Sequence, residues 1–240
     1  MMKFVELSLW VTLIIMLLAY LNYYYPRYSK FTMFGLFRES MTEMDKPPKV
    51  TLFGDSILNN SRYVPFGKSV GASLQDIYGS GLRINAQDGA SINNVYNQVE
   101  QYETYNKISD NTHIVISAGG NNMLNAMNVH ALNNESVDKF ASQYKRLIKH
   151  ICTTFPEARI YLLNVYHPAE ERYDKISKYI DRWNDSVASL VGDDDLGRLS
   201  LIDVAGICTE EEDFVSEIEP SSKGGKKIAR AIVNKINDFL

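Results

Sequence analysis

A serine hydroxyl becomes a useful nucleophile when a tight turn at the end of a strand exposes it and the amides that follow can face the acyl oxygen under attack. The run Gly54-Asp55-Ser56-Ile57-Leu58 offers Ser56 such a setting, directly after the apolar run Val50 to Phe53. Taken alone it is a weak signal, because Gly, Asp and Ser build turns of every kind. Its company matters more. Asp88-Gly89-Ala90 follows the apolar run Leu82 to Ala86, and Gly119-Gly120-Asn121-Asn122 follows His113 to Ser117. His167-Pro168 closes the run Ile160 to Tyr166, and a late segment from Cys208 to Ser222 contains Glu219.

The elements that must position these residues are legible from periodicity. Five short apolar runs, the four above and Leu199 to Val204, are expected strands, and helical patterns separate them. Ile176, Tyr179, Ile180, Trp183, Val187 and Leu190 recur at helical spacing, as do Phe140, Tyr144, Leu147 and Ile151. Lys223 to Leu240 reads as a closing helix with Ile228, Ile232, Val233 and Ile236 on one face. Strand and helix alternation of this kind implies a five-stranded parallel sheet covered by helices on both faces, a three-layer α/β domain. Sites in such sheets lie beyond the carboxyl ends of the strands. That edge is where Ser56, Asp88 to Ala90, Gly119 to Asn122, His167 and the late segment would gather.

In order and context these blocks resemble the SGNH (GDSL) hydrolase superfamily over about residues 49–240. The resemblance implies flavodoxin-like wiring of the sheet and hydrolysis or transfer of an acyl ester through a Ser56 acyl-enzyme. It also implies an oxyanion hole built from the Ser56 amide, the Gly89 amide and the Asn121 side chain, with no metal and no organic cofactor. The third block ends in Asn122 where the family usually has Asp. The fourth departs further: where an Asp-x-x-His-Pro block is expected, the chain reads Ser216-Glu217-Ile218-Glu219-Pro220. Glu219 thus stands at the histidine position.

Three answers follow for the proton of Ser56. Glu219 accepts it, provided burial raises a carboxyl from its ordinary pKa of about 4.3 toward neutrality. Alternatively His167 supplies the imidazole from the end of the fourth strand. In the third, the domain is a catalytically silent module that keeps the pocket to bind a ligand or partner. The expected substrate of an active enzyme is a small-molecule, glycan or lipid ester.

Composition narrows the rest. A length of 240 residues suits one catalytic domain, and a formal net charge of −4 gives no basic face for nucleic acid. Cys152 and Cys208 lie far apart without a CxxC pair, which suggests neither zinc nor a disulfide framework. Leu7 to Tyr25 runs without a charged residue, long enough to cross a bilayer as one helix, with Trp10 and Tyr20, Tyr23, Tyr24 and Tyr25 at the two ends. Residues 1–26 therefore read as an N-terminal membrane anchor helix, 27–48 as a juxtamembrane stalk ending at Pro47-Pro48, and 49–240 as the catalytic domain. The side of the membrane stays open: Arg27, Lys30 and Arg38 favour a cytoplasmic domain, whereas three Asn-x-Ser triplets would suit a lumen.

Overall fold

The computed structural model describes residues 48–105 and 112–238. The anchor expected for residues 1–26 and, apart from Pro48, the stalk expected for 27–48 lie outside them. Among the described residues, no helix is long and apolar enough to cross a membrane.

Five strands form one parallel sheet: β1 (Lys49–Phe53), β2 (Leu82–Ile84), β3 (Thr112–Ile116), β4 (Arg159–Leu163) and β5 (Leu199–Ile202). Their spatial order is β2-β1-β3-β4-β5, the doubly wound order that leaves a crevice between β1 and β3. The registers pair Phe53 with Ile116 and Leu52 with Ile84, so the chain leaves β1 at Gly54 level with the exits of its two neighbours. Every residue of β3 is buried, as expected of a central strand covered on both faces.

The helices are α1 (Val70–Tyr78), α2 (Ile92–Tyr105), α3 (Gly120–Asn128), α4 (Asn134–Thr154), α5 (Asp174–Gly192), a short α6 (Val204–Ile207) and α7 (Ser222–Asn237). Alternation along the strands divides the core in two. Val50, Leu52, Val115, Tyr161 and Leu163 pack with Leu74 of α1 and Ile228, Ile232 and Ile236 of α7. Phe53, Ile114, Ile116, Ile160 and Leu162 face the other way, onto apolar stripes of α2, α4 and α5. Both stripes expected from the spacing on α4 and α5 pack there, Trp183 completely buried and Phe140, Tyr179 and Leu190 partly.

Helix starts follow their capping chemistry. The Ser69 hydroxyl accepts from the Ala72 N–H at 3.1 Å, Asn133 and Ser136 form a reciprocal capping box on α4, and Ser221 accepts from Lys223 and Gly224 on α7. Three strands, β2, β4 and β5, are shorter than their apolar runs. Val165 and Tyr166 continue the run after β4 as buried loop residues. A two-stranded antiparallel hairpin, β6 (Phe214–Val215) with β7 (Glu219–Pro220), has no signal in the sequence, because two residues are too few for alternation to show. Both cysteines are free.

Candidate active site

Ser56 sits where β1 ends, in a turn closed by the Asp55 carbonyl, which accepts from the Leu58 and Asn59 N–H groups. The Asp55 side chain braces that turn from inside: Oδ1 accepts from the Ile57 N–H at 3.1 Å and from the Ser117 hydroxyl at 2.7 Å. Ser117 Oγ in turn accepts from the Asp55 N–H at 3.1 Å. Burial pushes the Asp55 carboxyl above its ordinary range, opposed by the hydrogen bond from Ser117. At 2% exposure Asp55 serves as a brace for the turn.

Gly54 is required by space as well as by its φ of +149°, since a Cβ there would lie 2.2 Å from Ser117 Oγ. Gln98 of α2 grips both polar groups of Gly54, accepting from its N–H at 2.8 Å and donating to its carbonyl at 2.9 Å. Three elements therefore hold the turn that presents Ser56.

The expected oxyanion donors are free to act. Among the described residues, the N–H groups of Ser56 and Gly89 have no hydrogen-bond partner. Gly89 has φ +74° with open space around its missing Cβ, so its backbone conformation, and no close neighbour, calls for glycine. Asn121, in the first turn of α3, spends one amide hydrogen on the Ala90 carbonyl at 3.1 Å, which leaves the second to point elsewhere. Its neighbour Asn122 acts at a helix start: Oδ1 accepts from the Ile92 N–H at 3.0 Å and ties the beginning of α2 to α3. An amide oxygen accepts that hydrogen bond as a carboxylate oxygen would.

Glu219 is carried to Ser56 by the β6–β7 hairpin. It is 8% exposed and lines the same pocket as Ser56. Burial pushes its carboxyl up to about 7, opposed by the nearby Ser56 hydroxyl and assisted by the charges of Asp88 and Asp55. Oε2 is buried without a partner among the described residues.

The hairpin is held on several sides. The Tyr166 hydroxyl donates to the Ile218 carbonyl at 2.7 Å, and Asn60 Nδ2 donates to the Pro220 carbonyl at 2.8 Å. Asn60 Oδ1 also accepts from the Val70 N–H at 2.9 Å, so this fully buried residue links the Ser56 turn, α1 and the Glu219 hairpin. Ser216 and Glu217 form the tip with φ of +47° and +77°, a conformation costing side-chain-bearing residues roughly 1–2 kcal/mol each. The Glu217 carboxylate engages Arg172 and the Tyr173 hydroxyl, which holds the strained tip against the entry to α5.

His167 is placed differently. Its Nε2 lies 3.0 Å from Asp181 Oδ1 at the surface, and its ring is absent from the pocket wall that Val165, Tyr166 and Pro168 join on either side. The structure brings Ser56, Asn121 and Glu219 to one pocket and leaves His167 outside it.

Beside Ser56 opens a cavity of about 50 Å³, walled by Met123, Leu124, Val165, Ile176, Ile180 and Ile218. Space of that size takes roughly three to five water-sized groups. Val165 and Tyr166 are apolar because they face this cavity, although their sequence signal is that of a strand. Among the described residues, no group of three or more His, Cys, Asp or Glu side chains is arranged to hold a metal. Gln98, Asn60 and Ser117 carried no sequence signal for their bracing roles, since each acts through contacts 10 to 160 residues away along the chain.

A family model described as GDSL-like lipase/acylhydrolase matches residues 50–232. No curated protein matches the sequence. Among solved structures, a member of the lipolytic protein G-D-S-L family from Veillonella parvula superposes with a TM-score of 0.61 at 16% identity, covering 77% of this chain and 96% of its own. A mutant of an acetyl-xylooligosaccharide esterase from Geobacillus stearmophilus gives 0.60 at 17% identity, covering 79% and 94%. A psychrotrophic esterase from Pseudoalteromonas sp., inhibited by monoethylphosphonate, gives 0.59 at 17% identity, covering 79% and 97%.

Proposed function

The chain belongs to the GDSL-like lipase/acylhydrolase family, and on that premise we propose that it cleaves or transfers a short acyl ester through a Ser56 acyl-enzyme with Glu219 as the base. The observation that carries the reading is the one pocket that Ser56 shares with the buried Glu219, whose carboxyl is pushed up to about 7. A carboxylate so raised is matched to proton transfer near neutral pH, which an ordinary glutamate is not.

The steps follow from the positions. Ionised Glu219 takes the Ser56 proton as Oγ bonds to the ester carbonyl carbon, and the electron pair of the C=O moves to oxygen. The amides of Ser56 and Gly89 and the free hydrogen of Asn121 Nδ2 receive that oxyanion. As the carbonyl re-forms, the C–O bond to the alcohol breaks and protonated Glu219 gives its proton to the departing oxygen. Glu219 then deprotonates a water, or a second alcohol in a transfer, which attacks the acyl-enzyme. Ser56 leaves and recovers its proton.

The cavity beside Ser56 favours an acyl group of a few heavy atoms, from acetyl to about butyryl, over a fatty acyl chain. The esterase of Geobacillus that shares the fold is named for an acetylated oligosaccharide, which is in keeping with that size. The apolar run Leu7 to Tyr25 would tether the catalytic domain to a membrane as a single pass.

Treatment of the full-length chain with a fluorophosphonate probe at about pH 8 is expected to give a covalent adduct on Ser56 by peptide mass spectrometry. The adduct is absent from Ser56→Ala. Absence of labelling of the folded wild-type chain from about pH 5 to about pH 9 overturns the acyl-enzyme reading and leaves a binding module.

A further inference from the structure

Two walls of the acyl cavity come from distant parts of the chain. Pro168, Ile176 and Ile180 belong to the segment that enters and begins α5, while Ile218 and Glu219 belong to the β6–β7 hairpin. That hairpin pairs only Phe214 with Pro220 and Val215 with Glu219, and a lone two-stranded hairpin is marginally stable at best in water. Its position is therefore set by what grips it from outside.

At the base of the hairpin the Ser221 N–H donates to the Asp213 carbonyl at 2.8 Å, and Tyr166 and Asn60 hold the carbonyls of Ile218 and Pro220. The tip has a separate restraint. Ser216 and Glu217 both lie at positive φ, which residues with a Cβ disfavour, and the Ile218 N–H closes the turn on the Ser216 carbonyl at 3.0 Å. Among the described residues only Arg172 and Tyr173 reach across to this tip. Arg172 pairs with the Glu217 carboxylate, and the Tyr173 hydroxyl donates to its Oε2 at 3.2 Å.

Both partners of Glu217 are themselves fixed. Arg172 Nε lies 3.1 Å from Glu170 Oε2, Nη2 donates to the Tyr173 hydroxyl at 2.9 Å, and the guanidinium carbon stands 4.8 Å from the centre of the Tyr173 ring. Tyr173, 7% exposed, belongs to the same core as Ile176 and Ile180. A planar guanidinium braced in this way loses little freedom when it meets a carboxylate. The pair thus joins one wall of the cavity to the other from outside: Glu217 precedes Ile218 and Glu219, and Tyr173 precedes the turn of α5 that carries Ile176.

We propose that Arg172 and Glu217 form a clasp that draws the hairpin onto the start of α5 and so fixes the width of the acyl cavity, making Arg172 a positioning residue that sets the length of acyl group accepted. The proposal rests on the ester reading above. With the clasp open the tip relaxes, Ile218 withdraws from Ile176 and Ile180, and the cavity admits a longer chain. The side chains of Arg172 and Glu217 are 55% and 43% exposed, so replacing them leaves the core intact.

The test uses the full-length chain with Arg172→Gln, Glu217→Gln and the double variant, assayed on p-nitrophenyl acetate and p-nitrophenyl hexanoate. The ratio of kcat/KM for the hexanoate to that for the acetate is expected to rise about tenfold or more in each single variant. Because the two esters share one nucleophile, one base and one enzyme sample, the ratio is insensitive to loss of active protein. The double variant is expected to match the single ones, since either change alone opens the clasp. An unchanged ratio in the single variants, or a double variant whose rise is the product of the two, overturns the clasp. Hydrogen exchange read by mass spectrometry separates this failure from failure of the ester reading. Amides of residues 214–219 are expected to exchange about tenfold faster or more in both single variants, and unchanged exchange overturns the clasp whether or not any ester is cleaved. If the folded wild-type chain cleaves neither ester, the ester reading fails while faster exchange at the hairpin still supports the clasp.

Discussion

Replacing Glu219 by Gln keeps the volume and the hairpin but removes the proton acceptor. A positioned general base contributes about 100- to 10,000-fold to rate, so kcat/KM for an aryl acetate is expected to fall within that range. The pH profile of the wild-type chain carries more information. With Glu219 pushed up to about 7, the ionised fraction climbs from about 1% at pH 5 to about 90% at pH 8, and activity should rise roughly 90-fold across that span. An ordinary glutamate would be mostly ionised at pH 5 already and give a change of about 1.3-fold over the same span. Burial raises the midpoint most, the Ser56 hydroxyl lowers it, and the charges of Asp88 and Asp55 raise it further. Stability gives an independent reading with a definite sign. Because the folded pKa is raised, the contribution of Glu219 is fully present below its unfolded value of about 4.5 and is lost as pH rises through about 7. Thermal melts should therefore show Glu219→Gln gaining on wild type between pH 5 and pH 8. A flat activity profile, or a rise whose midpoint survives in Glu219→Gln and disappears in His167→Ala, would refute the assignment of the base.

Two further outcomes test the parts around that base. Asn121→Ala is expected to lower kcat by about 100- to 1000-fold with little change in KM, as steady-state kinetics on the aryl ester would show, because the Nδ2 hydrogen not spent on the Ala90 carbonyl would bond only the developing oxyanion. Asn60→Ala removes two buried hydrogen bonds that join α1 to the Glu219 hairpin. It should cost about 3 kcal/mol, read as a fall of roughly 6–12 °C in Tm by calorimetry.

The strands and the turn that carries Ser56 were legible because both are local. Val50 to Phe53 followed by Gly54-Asp55-Ser56 is a strand and its exit, and the helical stripes on α4 and α5 report burial directly through their spacing. Gly89 and Asn121 came from the order of blocks along the chain, and Asn121 lines the same pocket as Ser56. The bracing of the site was not legible. Gln98 reaches Gly54 across 44 residues and Asn60 reaches Pro220 across 160, and no local pattern marks a glutamine or an asparagine as reserved for a distant carbonyl. The burial that the Glu219 reading required could not be read from its Pro and Ser context, and only the hairpin, with its tip held by Arg172 and its Ile218 carbonyl by Tyr166, shows it. His167 illustrates the converse. Its position at the sheet edge suggested chemistry, but Asp181 of α5 occupies its ring.

On the proposed mechanism, the unpartnered Oε2 of Glu219 has a consequence for how charge would move through the reaction. With an imidazole as base, attack by serine creates a cation and an anion side by side, and each helps to hold the other. With a carboxylate, the site carries one negative charge before attack and one after it, moved from Glu219 to the ester oxygen a few ångströms away. The step is a relocation of charge, and its ease depends on the contrast between the two resting places. The starting place is a buried carboxylate with one oxygen bare and two like charges nearby, while the destination offers the amides of Ser56 and Gly89 and the hydrogen of Asn121. A donor introduced to satisfy Oε2 would make the resting enzyme more comfortable and the reaction slower.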